Sequence, residues 1–441
     1  MDGQLIAALM FFATLVLIIL GVPIAFALAG SAVIFGAVGL GFSLFNLYVI
    51  ATFDVLTTYS LIAVGLFIFM GCLLESSGIT ERLYDTLYVA LGQFRGGLAV
   101  TTIVICIFFG ACTGVIGASI VTMGLIALPG MIAKGYNKSL AAGTVMAGGC
   151  LGIVIPPSIM MILYGSVSGT SIAKLFAAGM IPGVLTGLLY VGFIIVICYI
   201  KPEWGPAIGA EERARYSTKA VLSELLRGFV PVVTLVIVVL GTIFMGICGP
   251  TEAAGIGGLG GVLLCGAYGK LKLEVIKRAC IATVRTVAMV LLIVMGAKFF
   301  IGTFNALGGG EIAETLIRPF LATPGLLLVV VMGVIFVLGM FMDWIGLIYV
   351  FVPILNPIIV SSGMDPVWCG MLMCLTLTLS LMTPPFAYAV FYLKGIAPEG
   401  VTIMDMYKAC YLFLGFQFLV LALVYCYPEL AIWLPRVWLA K

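Results

Sequence analysis

Four short constellations carry the residue types that can do chemistry in this chain. The first, Gly110-Ala111-Cys112-Thr113-Gly114-Val115-Ile116-Gly117-Ala118-Ser119, sets small residues beside two hydroxyls. Small residues let two helical limbs approach closely, and a turn at Thr113-Gly114 leaves backbone carbonyls unbonded. Thr113 and Ser119 add hard oxygen ligands of the kind an alkali cation takes. The second, Gly148-Gly149-Cys150-Leu151-Gly152, leads into Pro156-Pro157-Ser158. Proline lacks the N–H that goes unpaired in a first helical turn. Pro157 is therefore expected to open a half-helix whose N-terminus favours a carboxylate, with Ser158 beside it and unwound, cation-binding carbonyls before it. The third repeats the theme: Thr376, Thr378, Ser380 and Thr383 precede Pro384-Pro385, and Thr383 stands where an N-cap hydroxyl is expected. The fourth is Asp343, an acid between two apolar runs, a candidate to ligate sodium or orient a turn, against the simpler reading of an exposed loop acid. Lys298, inside the apolar stretch Val290–Phe304, is a candidate counter-charge for an anionic substrate, against the simpler reading of a snorkelling interfacial lysine. Glu75, Glu252 and Lys394 read as interfacial.

Absences narrow the chemistry. There is no histidine, so the commonest metal ligand and general base is missing. The 12 cysteines form no C-x-x-C and sit mostly inside apolar runs, as small buried hydrophobes do. No phosphate-binding loop of the G-x-x-x-x-G-K type occurs, which argues against ATP hydrolysis. Without histidine, a side-chain proton relay has little to work with, whereas sodium held by carbonyls and hydroxyls needs no titratable group. No enzyme active site and no organic cofactor are expected.

The elements that position these residues are membrane helices. Of 441 residues, 63% are apolar and 9% charged, where a soluble protein carries about 25% charged residues. Gly3–Phe53, Gly96–Ala133, Val230–Cys248 and Gly325–Met342 hold no charge at all. Such segments belong in hydrocarbon, which excludes a soluble enzyme or a nucleic-acid binder. Apolar blocks fall near 4–21, 24–41, 60–75, 97–111, 114–132, 140–155, 157–168, 175–200, 229–248, 251–268, 282–305, 325–341, 343–360, 366–382, 385–396 and 408–427. The first lacks the basic flank of a signal peptide and reads as a retained membrane helix. Crossing the bilayer takes about 20 residues, so the short pairs 97–111 with 114–132, 140–155 with 157–168, 325–341 with 343–360 and 366–382 with 385–396 read as re-entrant hairpins or broken helices.

Lys and Arg gather in Tyr199–Arg227 and Gly269–Arg285, which places both loops on the cytoplasmic side. The halves also resemble each other. Tyr164 follows Pro156-Pro157 as Tyr392 follows Pro384-Pro385, and Ser171-Ile172 aligns with Thr402-Ile403 after a short insertion. Counting crossings makes the two Pro-Pro helices run in opposite directions. Inverted repeats with broken helices meeting at mid-membrane are the pattern of a secondary transporter.

The chain resembles the large (M) permease subunit of the tripartite ATP-independent periplasmic (TRAP) transporters. The resemblance rests on Thr113–Gly124, Ile155-Pro156-Pro157-Ser158, Pro250-Thr251-Glu252-Ala253-Ala254, Leu381-Met382-Thr383-Pro384-Pro385-Phe386 and Phe391-Tyr392-Leu393-Lys394-Gly395, in the expected order. It implies an all-α polytopic membrane protein of the elevator type, with two re-entrant hairpins and two broken helices. The implied activity is sodium-driven import of organic acids in a bacterial inner membrane. Implied partners are a small four-helix membrane (Q) subunit and a periplasmic substrate-binding (P) protein. Implied sodium ligands are Thr113, Gly114, Ser119, Gly149, Pro156, Asp343, Thr383 and Pro384, with Pro157, Ser158, Thr378, Ser380 and Lys298 toward substrate. The run Thr113–Gly124 with Phe391–Pro398 looks closest to members handling keto acids, aromatic acids or mannitol-like compounds. Where those relatives commonly have Asn-Leu-Gln, this chain has Thr376-Leu377-Thr378. The implied division is 1–59 scaffold, 60–175 first repeat, mostly transport domain, 176–281 scaffold with the linker 201–228, 282–407 second repeat, mostly transport domain, and 408–441 terminal helix. The alternatives are a stand-alone sodium:carboxylate symporter of the divalent-anion type and a channel-like or structural membrane subunit.

Overall fold

The computed structural model describes residues 2–208, 218–317, 319 and 323–439. Among them there is no strand. In chain order the helices are α1 (Gly3–Ile19), α2 (Ile24–Leu40), α3 (Ser43–Thr57), α4 (Ser60–Ser76), α5 (Ile79–Leu91), α6 (Gly97–Thr113), α7 (Ile116–Ala133), α8 (Lys138–Leu151), α9 (Ile159–Ser168) and α10 (Ile172–Ile200). After a short 3₁₀ turn come α11 (Thr218–Phe244), α12 (Pro250–Ala267), α13 (Leu273–Ala306), α14 (Gly309–Ile317), α15 (Pro324–Gly339), α16 (Trp344–Ser361), α17 (Pro366–Leu381), α18 (Tyr388–Lys394), α19 (Ile403–Cys426) and α20 (Glu429–Leu439). Arg213 and Arg215 of the basic linker lie outside the described residues.

These segments are helical because a chain in hydrocarbon must satisfy its own backbone. Their hydroxyls follow the same rule: Thr14, Thr102, Thr144 and Thr186 each donate to the carbonyl four residues back at 2.8 Å. Phe42, Phe45, Phe53, Leu56 and Ile50 stand exposed on the outside, a surface that suits lipid. Five described helices are long and apolar enough to cross a membrane: α7, α10, the 225–244 part of α11, α13 and α19. A sixth crossing is available if α3 and α4, which meet at a bend of 54°, form one broken span. The apolar helices α1, α2, α9, α15 and α17 are shorter. By itself α7 therefore reaches span length, which the sequence reading of 114–132 as half of a short pair did not anticipate. Four helices were absent from the sequence reading: α3, α5, α14 and α20. In α3, Asn46 and Asp54 interrupt the apolar pattern, yet the helix packs on α13.

Within the body, α8 lies among α6, α7 and α19; α17 lies among α15, α10 and α19. Elsewhere, α4 packs on α12 and α13, and α13 packs on α2, α3 and α16. The internal repeat extends to the helix caps. Asn137 accepts the Leu140 N–H at the start of α8, and Asp365 accepts the Val367 and Trp368 N–H groups at the start of α17. The interval from Asn137 to Pro156 equals that from Asp365 to Pro384. Ser171 and Thr402, aligned from sequence, are the N-caps of α10 and α19.

Candidate functional site

The first helical pair turns at Gly114 and Val115. Gly114 caps α6 with φ +59°, its N–H donating to the Gly110 carbonyl at 2.7 Å. The tip rests on the start of α9: a Cβ on Gly114 would fall 2.6 Å from Ile159 Cγ1 and 3.2 Å from the Ile159 nitrogen. Behind the tip, a Cβ on Gly110 would fall 2.2 Å from Gly152 Cα, and one on Gly149 would fall 2.4 Å from Ile120 Cγ1. Gly149 thus serves close packing of α8 on α7. Ser119 is buried on α7. The Thr113 side chain lies outside the described side chains.

Between α8 and α9 the chain leaves the helix from Gly152 to Ser158, and all of those residues are buried. Here the structure corrects the sequence reading. The half-helix opens at Ile159, with Ser158 rather than Pro157 at its cap. The Ser158 hydroxyl accepts the Met161 N–H at 3.3 Å and donates to the Ile153 carbonyl, so both of its roles are internal. Among the described residues, the carbonyls of Val154, Ile155 and Pro156 accept no backbone hydrogen bond. Buried, unbonded carbonyl oxygens are costly unless a cation or water takes them.

The second half repeats the arrangement with different residues. The α15–α16 turn runs through Phe341, Met342 and Asp343. Asp343 Oδ2 accepts the Ile345 N–H at 3.2 Å, so this carboxylate orients the turn as an N-cap does. A Cβ on Gly339 would fall 2.2 Å from Ser380 Oγ, the counterpart of the Gly110–Gly152 contact. The tip meets the second break, where the Tyr388 hydroxyl donates to the Phe341 carbonyl at 3.0 Å and the rings of Phe341 and Phe386 lie 5.6 Å apart. Thr383 is a second correction. Helix α18 begins at Tyr388 with Ala387 at its cap (φ +46°), and Thr383 Oγ1 donates back to the Leu379 carbonyl at 2.8 Å. Thr383 therefore caps nothing. The carbonyls of Thr383 and Pro384 accept no backbone hydrogen bond among the described residues.

The two half-sites are joined through α18. Tyr392 packs on Gly117 of the first pair, where a Cβ would fall 3.0 Å from its ring. Of the residues assigned toward substrate, Pro157, Ser158, Thr378 and Ser380 are buried. Thr378 and Ser380 donate to the Cys374 and Leu377 carbonyls at 2.8 and 2.7 Å. Lys298 is not brought to the tips; it pairs with Asp54 at 2.5 Å in a separate cavity. Sequence reasoning missed Tyr388, Asp54 and Gln417. The last is a lone amide in the apolar run of α19, whose buried oxygen has no partner among the described residues.

The family model of the tripartite ATP-independent periplasmic transporter, DctM component, matches residues 11–430. The chain belongs to that family. It is 28% identical to the C4-dicarboxylate TRAP transporter large permease protein DctM of Vibrio cholerae, over 97% of each chain. It is 31% identical to the ectoine TRAP transporter large permease protein TeaC of Halomonas elongata, over 85% of this chain and 86% of that one. It is 30% identical to the isethionate TRAP transporter permease protein DctMQ of Oleidesulfovibrio alaskensis, over 86% of this chain and 59% of that protein. A crystal structure of the YdaH transporter of Alcanivorax borkumensis shares the fold, with a TM-score of 0.57 at 14% identity over 95% of this chain and all of that one. As a TRAP large permease the chain is a membrane protein of a tripartite transport system, and its relatives are named as permeases rather than enzymes.

Proposed function

We propose that this chain is the permease subunit of a sodium-driven, binding-protein-dependent importer of organic acids in a bacterial inner membrane. The carrying observation is that each helical pair places its tip on a helix break, Gly114 on Ile159 and Phe341 on Tyr388, and that each break holds carbonyls that no backbone donor reaches among the described residues. Twice over, that supplies neutral oxygen ligands of the kind sodium takes, at a point where a half-helix N-terminus favours a carboxylate. The carbonyls of Gly114, Ile155, Pro156, Thr383 and Pro384, with Asp343 completing the second set, are the sodium ligands of this reading. The two pairs are re-entrant hairpins that enter from opposite faces. Together with α8, α9, α17 and α18 they slide as one unit against a scaffold of α1–α4 and α11–α13.

The partners are a small four-helix membrane subunit and a periplasmic binding protein. Relatives named for C4-dicarboxylates, isethionate, ectoine and sialic acid support a small, oxygen-rich organic solute, and an organic acid fits the half-helix termini best. The test is uptake of labelled organic acids into proteoliposomes holding this chain and the small subunit, with and without an inward sodium gradient and the binding protein. Uptake that needs both is expected. Uptake needing sodium alone would instead favour a stand-alone symporter, and no uptake under any gradient would overturn the transport reading.

A further inference from the structure

Helix α13 is too long for the bilayer it crosses. Its 34 residues extend about 51 Å at 1.5 Å per residue, against about 30 Å of hydrocarbon. Thr286–Ala306 alone, about 20 residues, is enough to cross. The turns from Leu273 to Arg285 therefore overhang on the side where Lys and Arg gather, the cytoplasmic side. Arg285 stands at the foot of the crossing part, at the level of the lipid headgroups.

The outward face of α13 carries cations and apolar side chains together. Arg278 and Arg285 are exposed and seven residues apart, two turns and roughly 10 Å along one face, with Ile281 between them. Lys277 lies beside Arg278, and Ile281, Val284 and Met289 are 45%, 66% and 52% exposed. Val275, Ala279 and Val290 are buried on the other side of the helix, which packs on α2 and α4. A tight turn brings two more cations to the helix start. Gly269, at φ +65°, lets the Lys270 N–H donate to the Cys265 carbonyl at 2.8 Å, and Lys272 is the N-cap residue of α13. From Gly269 to Arg285, five cations meet one acid, Glu274. Among the described residues, Lys277, Arg278 and Arg285 have no carboxylate partner.

Positive loops orient a membrane protein without binding any one molecule. Arg285 goes beyond that need. It lies past the loop, on the helix itself, with exposed apolar side chains on either side of it along the chain. An arginine so placed needs an anion, and its planar fork matches two oxygens of one phosphate. Val284 and Met289 offer acyl chains a surface next to that fork, which a free anion would not use. We propose that this face of α13 binds an anionic phospholipid of the cytoplasmic leaflet. Arg285 holds the phosphate, and Arg278, Lys277 and the two loop lysines add to the positive field around it. In the transport reading α13 belongs to the fixed scaffold, so the lipid steadies the part past which the tips move; the binding itself does not rest on that reading.

The test is a melting titration of the purified complex with its small subunit, in detergent, with dioleoylphosphatidylglycerol, dioleoylphosphatidylcholine or inorganic phosphate. Phosphatidylglycerol should raise the melting temperature of wild type, and the other two should not. One cation near an anionic surface is worth about fivefold in affinity. R285Q is therefore expected to raise the half-saturating lipid concentration about fivefold, and R278Q/R285Q about thirtyfold. R285K keeps the charge but not the fork and should fall between wild type and R285Q. K408Q removes an exposed cation from the start of α19 and should titrate like wild type. Because both arginines are exposed, their variants should melt with wild type before lipid is added. Equal stabilisation by phosphatidylcholine, or arginine variants that titrate like wild type, overturns the site. Inorganic phosphate acting as well as the lipid overturns the lipid assignment. A complex that does not respond, while the chain without its small subunit does, also overturns it and makes this face a docking surface for that subunit.

Discussion

At position 110 a methyl group has nowhere to go. The atom opposite is Gly152 Cα, part of a buried backbone that cannot swing aside as a side-chain end would. Alanine there forces the first helical pair off α8, an overpacking cost of about 1–3 kcal/mol. At Gly255, by contrast, a Cβ meets nothing within 4 Å, and alanine in that helix should stabilise by about 0.5–1 kcal/mol. Thermal unfolding in detergent should show G110A below wild type and G255A at or above it; G110A melting like wild type would contradict the contact. The same scale governs Asp343. Asparagine keeps the oxygen that accepts the Ile345 N–H but removes the charge. D343N is expected to melt like wild type and to raise the sodium concentration for half-maximal uptake about tenfold, the loss of one charge-assisted ligand. Unchanged sodium activation would leave Asp343 as a cap alone. Thr383, whose hydroxyl is spent on Leu379, should give a smaller shift as T383V than D343N does.

The elements are held in register by a few named contacts. The second tip has a polar tie as well as its packing: Tyr388 reaches from the start of α18 to the Phe341 carbonyl. Phenylalanine at 388 keeps the ring and removes the bond, a change of about 1 kcal/mol. Hydrogen exchange over residues 341–347 should speed up about fivefold in Y388F, while exchange at the first tip, 110–117, stays as in wild type. Equal acceleration at both tips would mean that the half-sites do not rest on separate supports. The first tip rests on glycine contact at Gly110, Gly114 and Gly152; the second half has its own close glycine contact, Gly339 on Ser380, and adds the Tyr388 bond.

For the whole molecule, the question is whether the tips and breaks travel together past the remaining helices. Ser60 on α4 and Ser166 on α9 share a hydrogen bond at 2.6 Å, across the boundary where sliding would occur. Cysteines at both places are close enough to join by a disulfide. Oxidising S60C/S166C should abolish uptake and reduction should restore it, with the wild type, which has 12 native cysteines, unaffected by the same treatment. Full uptake by the cross-linked protein would show that α4 and α9 do not part during the cycle.

Much of this was legible in the amino-acid order. Charge-free runs dictate membrane helices, because hydrocarbon offers no partner to backbone or charge. The Pro-Pro pairs and small-residue runs mark where helices break and pack, since proline and glycine act on local backbone geometry. Local rules also carried the repeat, down to the caps at Ser171 and Thr402. What those rules could not reach were contacts between segments far apart in the chain. Whether Thr383 caps a helix depends on where α18 begins, and it begins at Tyr388, in contact with Phe341 from another helical pair. Whether Lys298 faces the tips depends on α3, which brings Asp54 to it from 244 residues away. A side chain's type states what it can bind; only the packing of distant helices decides what stands within reach of it.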